Sequence, residues 1–357
     1  MSTSPREAFR HLPSGSRPAR ILIVDDSVVA RAVIGRLVGN GERFAVAGAV
    51  SDVRAALAFL AENRVEVVLL DIELPGMDGL SALPDIIAAG NGARVLVVSS
   101  SAHDGGAAAI QALALGAVDT LEKPSGGAQL GAFGDLLATK LDRLVQATPG
   151  NRAAPTAPAI PLPRGDDFDI VAIGASTGGI HALSRLLRAI PADFTLPILI
   201  TQHLPASFMP YFAAQIALLA GRPCVVATDH MRIAPGRVIL APGDAHMRVA
   251  RSGDGAAIRL DRRPASSGCM PSVDPMFASV AQVYGARTLA VVLSGMGRDG
   301  AEGARTVSDA KGCVVAQDQA SSVVWGMPGA VANAGIAAAV LPPDAIGQVV
   351  VARRRLP

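Results

Sequence analysis

Between Pro149 and Pro163 the chain carries five prolines interspersed with Ala, Gly and Thr. Proline lacks an N–H donor and collides with the preceding helical turn, so this stretch can be neither a helix interior nor a central strand. It reads as a partly extended linker. It divides 357 residues into two stretches, each of a size that suits one core. The expected organisation is a disordered tail over 1–19, a first domain over 20–145, the linker over 146–167, a second domain over 168–350 and a basic tail over 351–357. Hydrophobic residues make up 50% and charged residues 17%, enough apolar material for two buried cores and too much for a disordered chain.

Charge excludes some classes of function. Lys plus Arg is 32 against 30 for Asp plus Glu, a formal charge of +2, which leaves no electrostatic footprint for a nucleic acid. Cys224, Cys269 and Cys313 are widely spaced and odd in number, against a disulfide framework or a thiolate metal site and in keeping with a reducing, cytoplasmic setting. Residues 1–20 contain no apolar core of a signal peptide. No apolar run is long enough to cross or insert into a membrane.

In the first domain Ile21-Leu22-Ile23-Val24 runs into Asp25-Asp26, and Val65 to Leu70 runs into Asp71. Short apolar runs that end in acids read as buried parallel strands delivering carboxylates to one sheet edge. Helical spacing follows Ser27, and the alternation continues through Phe44–Val50, Val53–Glu62, Leu80–Ala89, Ala93–Ser99, Ala107–Leu115 and a last strand near Val118–Leu121. The expected fold is α/β, a doubly wound, flavodoxin-like parallel sheet with ligands at the carboxyl strand ends. Three converging carboxylates repel one another unless a hard cation such as Mg²⁺ joins them.

These residues, with Ser99 closing VLVVS and Lys123 in LEKPSG, resemble the receiver domains of two-component response regulators. The resemblance implies that Asp71 accepts a phosphoryl group and that Asp25, Asp26, Asp71 and the Glu73 main-chain carbonyl hold Mg²⁺. It further implies that Ser99 and Lys123 contact the phosphoryl oxygens, and that a sensor histidine kinase, CheA, is the phosphodonor. Thr120 stands where many receivers place an aromatic residue.

The second domain opens on Asp169 to Ile173, a strand running into Gly174-Ala175-Ser176-Thr177-Gly178-Gly179 and then a helix over Ile180–Ile190. A serine on such a turn is approachable and faces a helix N-terminus. The turn fits the short G-x-S-x-G elbow pattern; a dinucleotide loop would want glycine where Ser176 stands. Strand Pro197–Thr201 leads to His203, and strand Leu289–Leu293 leads to Asp299. Parallel strands would bring Ser176, His203 and Asp299 to one rim, where imidazole activates the hydroxyl and carboxylate orients the ring. His230 and His246 lie in turn-rich segments without an evident partner acid, His181 is too near Ser176 to orient freely, and His103 belongs to the first domain. Cys269, in SSGCMPS, shows neither an elbow nor a nearby histidine and is assigned to packing or the substrate lip.

The order Ser, His, Asp differs from the α/β-hydrolase order. IGASTGG, TQHLP, PSVD (271–274), VVLSGMGRDG, VVAQDQASSVVWGMP and VLP together are similar to the CheB protein-glutamate methylesterase family. The resemblance implies a mainly parallel α/β catalytic domain with Ser176 as nucleophile, His203 as general base and acid, and Asp299 as orienting carboxylate. Main-chain N–H groups of Thr177 and Met296 would form the oxyanion hole, and the esterase chemistry needs no cofactor. The implied substrates are glutamyl methyl esters on chemoreceptors, with deamidation of receptor glutamines as a second reaction and receiver phosphorylation as the control. A non-catalytic response-regulator scaffold docking on receptors is the alternative; a DNA-binding output would need a helix-turn-helix and a basic face.

Overall fold

The computed structural model describes residues 17–39, 42–74, 79–99, 103–124, 130–146, 167–253 and 255–353. The tail over 1–16, most of the linker and residues 354–357 lie outside the described residues.

The first unit alternates β1 (Ala19–Val24), α1 (Val28–Gly39), β2 (Phe44–Val50), α2 (Val53–Glu62), β3 (Val67–Leu70), α3 (Gly79–Ala89), β4 (Arg94–Ser99), α4 (His103–Leu115), β5 (Asp119–Glu122) and α5 (Leu130–Gln146). Its five strands are parallel in the order β2-β1-β3-β4-β5. Ile21 to Val24 are at most 1% exposed, which explains a continuous apolar run: alternate residues enter the helical layers on the two faces of the sheet. Ser27 Oγ accepts from Ala30 N at 3.2 Å and starts α1. The sheet order reverses between β1 and β3, so the acids that follow these strands sit at the switch point.

The second unit comprises β6 (Ile170–Ala175), α6 (Gly179–Arg188), β7 (Ile198–Gln202), α7 (Met209–Ala220), β8 (Cys224–Val226), β9 (Val238–Leu240), β10 (His246–Ser252), β11 (Gly255–Asp261), α8 (Val273–Tyr284), β12 (Thr288–Val292), α9 (Ala301–Asp309), β13 (Cys313–Gln317), α10 (Met327–Asn333), β14 (Ala339–Leu341) and α11 (Pro343–Ala352). Seven parallel strands run in the order β14-β13-β12-β6-β7-β9-β8. β10 and β11 form a separate antiparallel hairpin. Val171, Ile173 and Ala175 pack into the core on one face of β6, and Ile170 and Ala172 into the core on the other.

Several expected bounds shift. β1 begins at Ala19, inside the expected tail; β3 begins at Val67, because Val65 precedes the pairing with β1; α4 begins at His103; β5 runs to Glu122, paired with Ser99; and α6 spans Gly179–Arg188. The expected basic tail is also corrected. α11 continues through Ala352, and the Arg353 guanidinium lies 5.1 Å from the Phe194 ring centroid, a cation–π contact.

Candidate active site and phosphoacceptor site

In the first unit Asp25 and Asp71 are 1% and 2% exposed. Ligand oxygens of Asp25, Asp26 and Asp71 fall within 4.8 Å of one another. Lys123, carried past Ser99 by β5, sets Nζ 2.8 Å from Asp25 Oδ2 and 2.6 Å from Asp71 Oδ2. Burial raises the Asp71 carboxyl above its ordinary range, and the Lys123 ammonium opposes that rise. Burial depresses Lys123, but hydrogen bonds with Asp25 and Asp71 outweigh it and hold the amine charged. Glu73 N donates to Asp71 Oδ1 at 3.0 Å, which turns the chain after β3 back over the site. Ser99 is buried, and its carbonyl accepts from Lys123 N at 2.8 Å. Asp25 Oδ2 is buried and meets the Lys123 ammonium. Three clustered carboxylates against one ammonium leave a set of hard oxygen donors that fits a small hard cation.

The second site lies where β6 separates the two directions of sheet growth. Ser176 follows β6, His203 follows β7 and Asp299 follows β12, three adjacent strands. The geometry unites all three. His203 Nδ1 stands 3.1 Å from Ser176 Oγ, and Nε2 stands 2.7 Å from Asp299 Oδ2. Neutral imidazole carries one N–H; a carboxylate at Nε2 fixes that proton there and leaves Nδ1 as the acceptor facing the hydroxyl. Burial opposes protonation of His203, yet the hydrogen bond to Asp299 and the adjacent Cys269 thiol push its pKa up to about 9.

The turn carrying Ser176 is fixed by backbone bonds. Ser176 N donates to Ser294 O at 3.0 Å, and Gln202 Nε2 donates to Ser176 O at 2.9 Å. Gly178 has φ +74°, and a Cβ there would stand 2.4 Å from Val323 Cβ. Glycine is required on both counts. Among the described residues no acceptor stands against the Thr177 or Met296 main-chain N–H, and Met296 lines the same cavity as Ser176. Two donors beside a nucleophile suit a developing oxyanion.

Asp299 shows what sequence reasoning missed. Its Oδ1 accepts from Ser272 Oγ at 2.6 Å and from Gly300 N at 3.1 Å, and its Oδ2 accepts from Val273 N at 2.8 Å. Burial alone would raise this carboxyl; the His203 bond and charge, with Ser272 and Val273, hold it well below the usual range. Ser272 N in turn donates to His246 Nδ1 at 2.9 Å, and His246 Nε2 donates to Arg263 O at 2.8 Å. His246 is therefore no rival base; it is a buried support two bonds from Asp299. Only the PSVD motif offered a signal for Ser272.

Cys269 lies at the lip of the site, as expected, but a histidine is near it after all. Its thiol sits beside His203 and lines the cavity of about 550 Å³ that holds Ser176, Asp274, Arg298 and Asp299. Burial pushes neighbouring Asp274 up to about 7. His230 lies exposed in the segment between β8 and β9, 3.2 Å from Asp229, and His181 is half-buried facing the first unit.

The two units meet at the Ser176 turn. Gly178 N donates to Val118 O, and Thr177 Oγ1 donates to Asp119 Oδ2, both at 2.9 Å. Lys140 Nζ lies 2.6 Å from the same Asp119 oxygen.

Comparison with known proteins agrees with this geometry. The response regulator receiver domain family model matches residues 21–133, and the CheB methylesterase family model matches residues 171–350. The chain is 42% identical to protein-glutamate methylesterase/protein-glutamine glutaminase 2 of Caulobacter vibrioides, over 94% of this chain and 99% of that one. It is 40% identical to protein-glutamate methylesterase/protein-glutamine glutaminase 1 of Paramagnetospirillum magneticum, over 90% and 93%. The crystal structure of the Thermotoga maritima CheB methylesterase catalytic domain is 34% identical, covers 52% of this chain and 97% of that one, and superposes with a TM-score of 0.50. With its switch-point Ser176, His203 and Asp299 beside a receiver, the chain belongs to the CheB methylesterase family.

Proposed function

We propose that the chain hydrolyses γ-glutamyl methyl esters on chemoreceptors, releasing methanol, and deamidates receptor glutamines at the same serine. The Ser176–His203–Asp299 alignment carries this reading, and relatives named for both activities support it. Ser176 Oγ attacks the ester carbonyl carbon while its proton passes to His203 Nδ1. Thr177 and Met296 N–H groups stabilise the carbonyl oxygen as it gains charge. The C–O bond to methanol breaks, or the C–N bond to ammonia, and His203 protonates the leaving group. Water then enters, loses a proton to His203, and releases glutamate with the serine restored. Asp299 stabilises the imidazolium in both halves. A docking scaffold has no use for a nucleophile, base and acid aligned in this way.

The proposal extends to control. Asp71 receives a phosphoryl group from a sensor histidine kinase of the CheA type, with Ser99 and Lys123 on its oxygens. Asp25, Asp26, Asp71 and the Glu73 carbonyl hold Mg²⁺, which when bound offsets the charge of the transferring phosphoryl group. The unphosphorylated receiver restrains the esterase through the Val118–Asp119 contact with the Ser176 turn.

The test is methanol release from methylated receptor membranes, with and without a small phosphodonor and Mg²⁺. Wild type is expected to release methanol and to respond to phosphodonor, Asp71→Ala to release it without responding, and Ser176→Ala to fall by at least about 10³-fold. Equal release by wild type and Ser176→Ala would return the scaffold reading. Deletion of residues 1–150 should raise activity above that of the unphosphorylated chain; no rise would reject receiver restraint.

A further inference from the structure

Among the described residues are two clusters of possible metal ligands with different chemistry. Asp25, Asp26 and Asp71 offer oxygen alone, whereas Cys269, His203 and Asp299 offer sulfur, nitrogen and oxygen. Hard Mg²⁺ suits the first set, and borderline Zn²⁺ suits the second. In that second cluster the Cys269 Sγ, a His203 ring nitrogen and an Asp299 carboxylate oxygen lie within 4.8 Å of one another. Tetrahedral zinc bonds of about 2.0–2.3 Å place neighbouring ligand atoms roughly 3.3–3.8 Å apart. No pair in the cluster is more than about an ångström too wide for that spacing, and the 2.7 Å His203–Asp299 pair has to open by roughly 0.6 Å. Cys269 is half-buried on a surface loop whose Ser266, Ser267 and Gly268 are exposed. Access is through the cavity that Cys269 and His203 line, whose walls among the described residues include no receiver residue.

We propose that Cys269, His203 and Asp299 form an inhibitory Zn²⁺ site laid across the catalytic histidine. Zn²⁺ binds the Cys269 thiolate, whose proton leaves to solvent, the Asp299 carboxylate, and the ring nitrogen that faces it; a water completes the tetrahedron. From imidazolium the Nε2 proton leaves to solvent and Nδ1 keeps its own; from neutral imidazole the Nε2 proton moves to Nδ1, because the ring keeps one N–H. Nδ1 then presents a donor to Ser176 Oγ, 3.1 Å away, and can no longer take the hydroxyl proton. Binding stands on the ligand set alone; its effect on hydrolysis rests on the esterase reading.

The experiment uses the full chain saturated with Mg²⁺, so that the oxygen cluster does not compete. Co²⁺ serves as the spectroscopic probe: wild type and Ser176→Ala should show a near-ultraviolet thiolate-to-cobalt charge-transfer band that Zn²⁺ abolishes, and Cys269→Ser should lack it. In the methanol assay, micromolar Zn²⁺ should inhibit wild type about tenfold or more by mass action, with recovery on chelation. Cys269→Ser should need about tenfold more Zn²⁺ for the same fractional loss, measured against its own metal-free rate. No thiolate band in wild type, or the same band in Cys269→Ser, overturns the site. So does equal zinc sensitivity of the two proteins. A chain that shows the band but releases no methanol under any condition keeps the metal site and loses the esterase.

Discussion

His203 is held between a carboxylate that wants it charged and a hydroxyl that needs it neutral. Its pKa, pushed up to about 9, sets the sign of the pH dependence. Below that value the ring holds a proton and cannot accept one from Ser176, so kcat/KM should climb with pH and level off near pH 9. Asp299→Asn removes the charge that stabilises imidazolium; the rise should move to lower pH while kcat falls by about 10⁴-fold. A pH profile of methanol release for both proteins checks the two effects. Ser272 acts one step further out. Its 2.6 Å bond to Asp299 is made to a charged group, worth about 1.5–3 kcal/mol. Ser272→Ala should therefore lower kcat by about 10- to 100-fold with little change in KM. Cys or Thr at this position should restore part of the loss if a donor to Asp299 is what matters. Ser176 and His203 were legible in the sequence because each directly follows a strand, and Asp299 because it lies in the Gly-rich loop after another. Ser272, His246 and Cys269 were not, since none of them closes a buried apolar strand of the parallel sheet and the loop carrying Cys269 has no periodicity to read.

Strand ends were the most readable elements, and the reason is physical. A parallel strand buried on both faces must be a continuous apolar run, and its first polar residue must emerge at the sheet edge. β1, β3 and β6 obey this and place Asp25, Asp26, Asp71 and Ser176 directly; β7 closes on buried Thr201 and Gln202 before His203, and Asp299 lies further along the loop that follows β12. Short elements were less readable. Asp119–Glu122 pairs with β4 as β5 although three of its four residues are polar, because backbone pairing with Leu96 to Ser99 decides its course. The hairpin of β10 and β11 alternates only loosely, and its buried residues meet α8. The strand-to-helix turn of β6 and α6 is where an element-level change should be felt most. Gly178→Ala would force a Cβ into Val323 and place an L-residue at φ +74°. The turn must then shift, and displacement of Ser176 by about an ångström costs about 10²-fold in rate. Kinetics should show that loss in kcat, and thermal unfolding should show a lower midpoint than wild type.

The two units are joined by more than a linker, because β5 of the receiver meets the very turn that carries Ser176. Val118 O takes the Gly178 N–H, Asp119 takes the Thr177 hydroxyl proton, and Val323 packs against the receiver core. Leu113, Leu136 and Lys140 face Ile180, His181 and Leu204 across the same seam. Lys123 belongs to the chain segment directly after β5, and its ammonium bridges Asp25 and Asp71. A phosphoryl group on Asp71 would draw that ammonium to new oxygens and so pull on β5, the strand whose start contacts the esterase. Asp119→Ala removes the acceptor for Thr177 and the partner of Lys140 while leaving Asp71, Lys123 and the Ser176–His203–Asp299 set intact. A half-buried hydrogen bond of this kind contributes about 1 kcal/mol, so unphosphorylated activity should rise by about three- to tenfold and the stimulation by phosphodonor should shrink by the same factor. The check is methanol release by full-length Asp119→Ala with and without phosphodonor, set beside the protein lacking residues 1–150. If Asp119→Ala keeps wild-type basal activity and wild-type stimulation, the seam at β5 does not transmit the signal, and the restraint must act through the helical faces instead.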